Sequence, residues 1–277
     1  MNTNYSLVKA HTEYLLHIKG YSKLTAQEYE RDIIDFVHWY RAYDANARWS
    51  LVTREIVDKY MIHLSNEMLK PATQNRRLAA LSSLFRFFCR QGLFTTNPTK
   101  YESRKKLPKT EPNTVNVNDL KKAIEHADDE TSLALTLLYE TGVRAQELID
   151  IKTTDIDYES GAIRIHGKGE KDRTVYVLPG TIEKIAEWMK GGTGRVFTYP
   201  DTRALRRDVH DALEPFCNAP QKSPHAIRHT FATEMTNKGM STITLGALLG
   251  HKSIKTTQKY VNMNGVQAKM QYLQFMS

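Results

Sequence analysis

The second half of this chain carries six polar residues, Arg144, Lys168, His225, Arg228, His251 and Tyr260, which together hold what phosphoryl transfer at a phosphodiester requires. Two guanidiniums can take the charge of a phosphorane, a lysine can deliver a proton, two imidazoles can move one, and a phenol can attack phosphorus. Each residue also has an ordinary reading. Arg144 lies among apolar Leu137, Leu138, Val143 and Leu148, so it needs an anion, and Glu147 could be that partner in a purely structural pair. Lys168 stands in a glycine-flanked turn, suited to reaching into a groove and equally to a solvated surface, with Lys171 its near competitor. A phosphate-binding P-loop is excluded there: Gly161 and Gly167 are separated by five residues rather than four, and Gly169 stands where Ser or Thr should hold magnesium.

His225 and His229, four apart, could bind zinc on a helix, but position 226 is Ala where an H-E-x-x-H motif needs its base, and no third ligand is obvious. His225 and Arg228, three apart, share a helical face on which imidazole and guanidinium can meet one phosphate. Pro224 fits a helix start, where free N–H groups also favour an anion. His251 follows Gly250 and the apolar run Leu245, Ala247, Leu248 and Leu249, and Tyr260 comes nine residues later. Tyr260 is one of 14 tyrosines, and composition does nothing to single it out.

These residues need a scaffold, and periodicity outlines one. Thr25-Ala26-Gln27-Glu28 reads as a capping box, with Ile33, Phe36, Val37 and Tyr40 on one buried face, predicting a helix from about Ala26 to Tyr40. Similar stripes follow Thr53 (Ile56, Val57, Tyr60, Met61, Leu64) and run through Leu78, Leu81, Leu84, Phe85 and Phe88 to a stop at Gly92. With residues 6–19 they make a four-helix unit. Residues 98–113 break into Pro, Lys, Thr and Glu and read as a linker, basic at Arg104-Lys105-Lys106. Helical patterns then return near residues 119–126 and 131–139, the second closed by Gly142. Residues 162–166 and 173–178 alternate like the strands of a β-hairpin. Further helices are expected near residues 181–190, 202–216 and from Ala226 to the end.

The chain has 277 residues, ample for two domains, and 40% hydrophobic with 25% charged residues, with no apolar run near the length that spans a bilayer. The start lacks the plan of a secretion signal, and Cys89 and Cys217 lie in apolar helical patterns, so free buried thiols in a reducing cytoplasm are expected. A net charge of +8 suits a polyanion partner. Most of the excess lies before Leu107, with 17 Lys+Arg against 10 Asp+Glu, while the remainder is near neutral. Arg76, Arg77, Arg86 and Arg90 ride on one helix with no acid from Gln74 to Gln91, which reads as a DNA-facing surface or as a solvated face.

Four strings in order carry a family resemblance: Thr141-Gly142-Val143-Arg144 with Glu147-Leu148, Gly167-Lys168-Gly169-Glu170-Lys171-Asp172-Arg173, His225-Ala226-Ile227-Arg228-His229-Thr230-Phe231-Ala232-Thr233, and Leu248-Leu249-Gly250-His251 leading to Tyr260 after Thr256-Thr257-Gln258. They resemble the tyrosine recombinases, the lambda-integrase family, and over nearly the whole chain its short Xer-type and transposon-borne members. The resemblance implies a mainly α fold: a four-helix, SAM-like core-binding domain (1–97), a linker (98–113) and a mixed α+β catalytic domain with a small antiparallel sheet and a tail helix (114–277). Because the helical pattern starts by about Ser6, the extra N-terminal domain of longer integrases is not expected. By the same resemblance Tyr260 is the nucleophile, Arg144 and Arg228 bind the scissile phosphate, Lys168 is the general acid, and His225 and His251 handle the phenol proton. Glu147 orients Arg144, and His229 supports. Arg76, Arg77, Arg86, Arg90, Arg104, Lys105 and Lys106 are expected on DNA. No metal, cofactor or ATP is implied. The implied partner is double-stranded DNA with paired inverted half-sites, bound by a homotetramer at the nucleoid, with a partner recombinase or accessory protein left open. A type IB topoisomerase using nearly the same residues as a monomer, and a non-catalytic DNA-binding regulator, are the alternatives.

Overall fold

A computed structural model describes residues 3–100, 104–107, 112–167 and 172–250 of the chain. It divides into two units, Met1–Lys109 and Thr110–Ser277. The first is helical. Helix α1 (Thr3–Glu13) runs into a π-helical turn (Tyr14–Ile18), and α2 (Lys23–Tyr43), a 3-10 turn (Trp49–Leu51), α3 (Arg54–Asn66) and α4 (Pro71–Arg90) follow. Helix α2 starts earlier than the Thr25 box suggests. Ser22 is its cap, accepting from the Thr25 N–H at 3.2 Å, and the Thr25 hydroxyl is bound to Ser22 Oγ at 2.8 Å. Thr53 caps α3 through the Ile56 N–H at 3.5 Å, and Pro71 opens α4, where its missing N–H removes no helical bond.

The apolar stripes seen in the sequence are the faces that meet. Phe36, Val57, Tyr60, Leu81, Leu84, Phe85 and Phe88 are all at most 1% exposed. Phe36 stands edge-on to Tyr60 at 5.0 Å, and Trp49 edge-on to Phe88 at 5.5 Å. Such pairs add about 0.5–1.5 kcal/mol each beyond the area they bury. Cys217 is a buried free thiol as expected, but Cys89 is only half-buried, because it lies on the flank of α4.

In the second unit α6 (Asp129–Thr141) is the central element, with Leu133, Ala134, Leu135, Leu137 and Leu138 all buried. A helix apolar on nearly every side must be surrounded. Helices α5 (Val117–His126), α8 (Pro179–Met189), α9 (Thr202–Leu213) and α10 (Pro224–Asn237) pack on it, and α7 (Ala145–Asp150) packs on α6 and α9. The hairpin pairs β2 (Ala162–Ile165) with β3 (Arg173–Tyr176) in the register Ile163↔Val175 and Ile165↔Arg173, which turns Ile163, Ile165 and Val175 inward. A third strand, β1 (Ile156–Asp157), joins β2 antiparallel, its two residues being too few to show alternation in a sequence.

The helical stretch expected from Ala226 onward is two helices as far as Gly250, with a turn between them. Helix α10 ends at Asn237, Gly239 turns back at φ 89°, and Ser241 caps a separate α11 (Thr242–Leu249) by accepting from the Thr244 N–H at 3.1 Å. Among the described residues no helix is long and apolar enough to cross a membrane.

Candidate active site

The site forms where two helices end and a third begins. Helix α6 stops at Gly142, in the left-handed region at φ 61°, and a Cβ there would fall 2.4 Å from Phe231 Cδ1, so both conformation and space demand glycine. Helix α7 begins two residues later with Arg144 as its cap. Helix α11 stops at Gly250, also left-handed at φ 64°. A helix end leaves its last carbonyls without helical partners, and guanidiniums gather there in the second unit. Arg173 Nε donates to Leu248 O at 2.7 Å, Arg228 Nη2 to Leu249 O at 2.7 Å, and Arg144 Nη2 approaches Gly250 O at 3.4 Å.

Arg228 is buried at 4% exposure, which a charged group tolerates only with partners. Its Nη1 donates to Gly142 O at 2.6 Å, joining the ends of α6 and α11. Glu147 holds the remaining two arginines. Its carboxylate accepts from the Arg144 backbone N–H at 2.7 Å and from Arg144 Nη1 at 2.8 Å. It also takes a two-pronged contact from Arg173, Nη1 at 2.9 Å and Nη2 at 2.7 Å. Burial would push the Glu147 carboxyl up, but the hydrogen bonds and charges of Arg173 and Arg144 prevail and hold it at about 2. Two guanidiniums thus meet one carboxylate, and that of Arg228 sits on the nearby Gly142 and Leu249 carbonyls, an excess of positive charge suited to an anion. The Arg144 side chain is 41% exposed, that of Arg173 only 8%.

His225 is exposed at the first turn of α10, and its ring meets that of buried His229 edge-on at 4.2 Å. Among the described residues no group of three His, Cys, Asp or Glu could hold a metal ion, so this pair has no third described ligand. Lys168, Lys171, His251 and Tyr260 lie outside the described residues. The neck of the hairpin that leads to Lys168 is described. His166 bridges Asp155 at 3.0 Å and Asp172 at 3.1 Å, and Arg164 pairs with Asp172 at 2.8 Å. The structure thus brings Arg144, Glu147 and Arg228 together at one point. It adds Arg173, which closes one of the four sequence strings but has no role implied by them.

The arginines of α4 are not equivalent. Arg76 donates to Asp32 at 2.6 Å and to Glu28 at 3.1 Å, and Arg77 pairs with Asp35 at 2.9 Å. Helix α4 carries no acid of its own, but α2 supplies three. Glu28, Asp32 and Asp35 are spaced to line one face of α2, a signal present in the sequence that bears directly on Arg76 and Arg77. Arg90 donates to Tyr14 Oη at 3.0 Å, while exposed Arg86 lines a groove of about 410 Å³ with Ser82, Asn97, Lys100 and Arg104. Arg104, Lys105 and Lys106 are exposed, on a strap that Asn75 fastens at both Lys105 backbone groups, at 2.8 and 2.9 Å.

The phage integrase family matches residues 113–265, and the phage integrase N-terminal SAM-like domain matches residues 8–92. The tyrosine recombinase XerC of Myxococcus xanthus is 30% identical over 92% of this chain and 92% of its own. The XerC of Lactobacillus delbrueckii subsp. bulgaricus is 27% identical over 94% of this chain and 95% of its own. The solved structure of XerH site-specific recombinase bound to difH substrate, a pre-cleavage complex, superposes with a TM-score of 0.75 at 20% identity, covering 96% of this chain and 83% of that one, a likeness of fold. Matched over both units, the chain belongs to the phage integrase family and is a tyrosine site-specific recombinase.

Proposed function

We propose that this recombinase cuts and rejoins double-stranded DNA through a 3′-phosphotyrosyl intermediate, with Tyr260 as nucleophile. The Tyr260 oxygen attacks phosphorus, and the bond from phosphorus to the bridging 5′ oxygen breaks. The departing 5′ oxygen takes a proton from Lys168. A 5′ hydroxyl of another strand then attacks the phosphotyrosine and reverses both bonds. Ester is exchanged for ester, so the step consumes no ATP. His225 and His251 accept the phenol proton and hold the phosphate between them. Arg144 and Arg228 take the non-bridging charge, where one lost donor costs roughly 2.7–4 kcal/mol of barrier.

The observation that carries this reading is the gathering of Arg144, Arg228 and Glu147 at the end of α11, one residue before His251. A net positive cluster there supports phosphate binding, and the fold relative XerH was solved bound to its difH substrate. Arg86, Arg90, Arg104, Lys105 and Lys106 form the proposed duplex contacts of the first unit, with Arg76 and Arg77 set partly against their carboxylates. Assembly as a tetramer on paired inverted half-sites belongs to the same proposal.

The test starts from a duplex selected by the full chain out of a randomised double-stranded pool. Nicked next to the cleavage position, it should trap a covalent protein–DNA band on a denaturing gel with the wild type, and none with Tyr260→Phe at unchanged binding. A covalent band that persists in Tyr260→Phe refutes the assignment.

A further inference from the structure

Arg173, the first residue of β3, is committed to partners within the second unit. Its side chain is 8% exposed and its donors point inward, two to the Glu147 carboxylate and one to Leu248 O. The Glu147 oxygens that receive its fork also receive the backbone and guanidinium of Arg144. One carboxylate is therefore shared by a strand arginine and by the arginine proposed to bind phosphate. The chain leaving α11 presses on the same group: a Cβ at Gly250 would stand 3.0 Å from Arg173 Nη1. Only a planar guanidinium meets a carboxylate with two parallel bonds while a third donor serves a carbonyl, and a lysine ammonium lacks that geometry.

We infer that Arg173 is a positioning residue: through Glu147 it sets the direction of Arg144, and through Leu248 and Gly250 it sets where the chain departs α11 toward His251. With its carboxyl held at about 2, Glu147 is charged at any working pH, so the tie does not switch off near neutrality. Without Arg173 the carboxylate keeps one arginine and loses the anchor to β3 and α11. Arg144 remains charged but is no longer aimed.

The inference rests on the strand-transfer reading, and the experiment separates the two. Full-length Arg173→Lys, which keeps the charge, and Arg173→Met, which keeps the buried stem, are compared with Arg144→Ala and wild type on the pool-selected nicked duplex. The scissile group is either a phosphate or a methylphosphonate, which lacks one anionic oxygen and so asks less of Arg144. On phosphate both Arg173 variants should form the covalent complex about 100-fold more slowly, the scale of a small misplacement of a reacting group. On methylphosphonate most of that deficit should disappear, as it should for Arg144→Ala. The Arg173→Lys/Glu147→Gln double variant should be no slower than the slower single one, since both act on one contact. Normal rates, equal deficits on both DNAs, additive losses, or failure of both variants to melt cooperatively overturn the inference. No covalent complex from the wild type overturns the strand-transfer reading instead.

Discussion

Glu147→Gln isolates the charge at the centre of the site while nearly preserving its shape. The carboxyl titrates near 4.5 unperturbed and at about 2 in the folded chain. Each tenfold change in proton affinity corresponds to about 1.4 kcal/mol, so a fall of that size links to about 3 kcal/mol of stability. The side chain is 9% exposed, so solvent screening reduces this little. Because the folded value is depressed, the contribution is fully present above about pH 4.5 and is lost as pH falls toward 2. The variant should therefore be less stable at pH 7 by up to about 3 kcal/mol, less whatever the amide oxygen still accepts. The gap between wild type and variant should narrow steadily below about pH 4.5. The assay is urea unfolding of the full chain at several pH values, read by pulsed hydrogen exchange so that peptides from residues 112–167 and 172–250 are followed separately from those of the first unit. A variant within about 0.5 kcal/mol of wild type at pH 7, or a gap that is constant from about pH 7 to pH 2.5, refutes the account of Glu147 as the charged hub.

Gly142→Ala combines a disfavoured left-handed backbone with a methyl 2.4 Å from Phe231 Cδ1, and should destabilise the second unit by about 2–4 kcal/mol in the same unfolding assay. Arg86→Ala should flatten the plot of log affinity against log salt by about one counterion on the pool-selected duplex, whereas Arg76→Ala, which frees Asp32 and Glu28, should change that slope far less. Equal slopes for the two variants would show that the carboxylates of α2 do not matter to the DNA contact.

The parts of the fold that are legible in the sequence rest on local rules. Stripes at helical spacing bury the faces they mark, and Gly142 closes α6 because the left-handed residue after a helix is usually glycine. Arg144 stands out because a cation among leucines must find a partner, and Arg228 because its spacing puts it on one helical face with His225. Arg173 gives no such sign. It opens a short strand, where an arginine ordinarily faces solvent, and its partners lie 26 residues before it and 75 after it, a pairing made only by the folded chain. The carboxylates that meet Arg76 are likewise 44 and 48 residues away, on another helix. The break before α11 is hidden for a different reason. Gly239 and Ser241 are ordinary stop and start signals, but the apolar run after them prolongs the helical period across the gap.

Helix α11 is attached at its end more firmly than along its side. Only Leu245 and Leu249 are buried, in a small cluster with Phe231 and Ala232 apart from the main core. Its last carbonyls are instead held by donors from Arg144, Arg173 and Arg228. An anion that draws on Arg144 and Arg228 competes for the donors that latch α11, so occupancy of the site and the set of this helix are thermodynamically linked, and by reciprocity whatever holds α11 in place alters how tightly the site grips its anion.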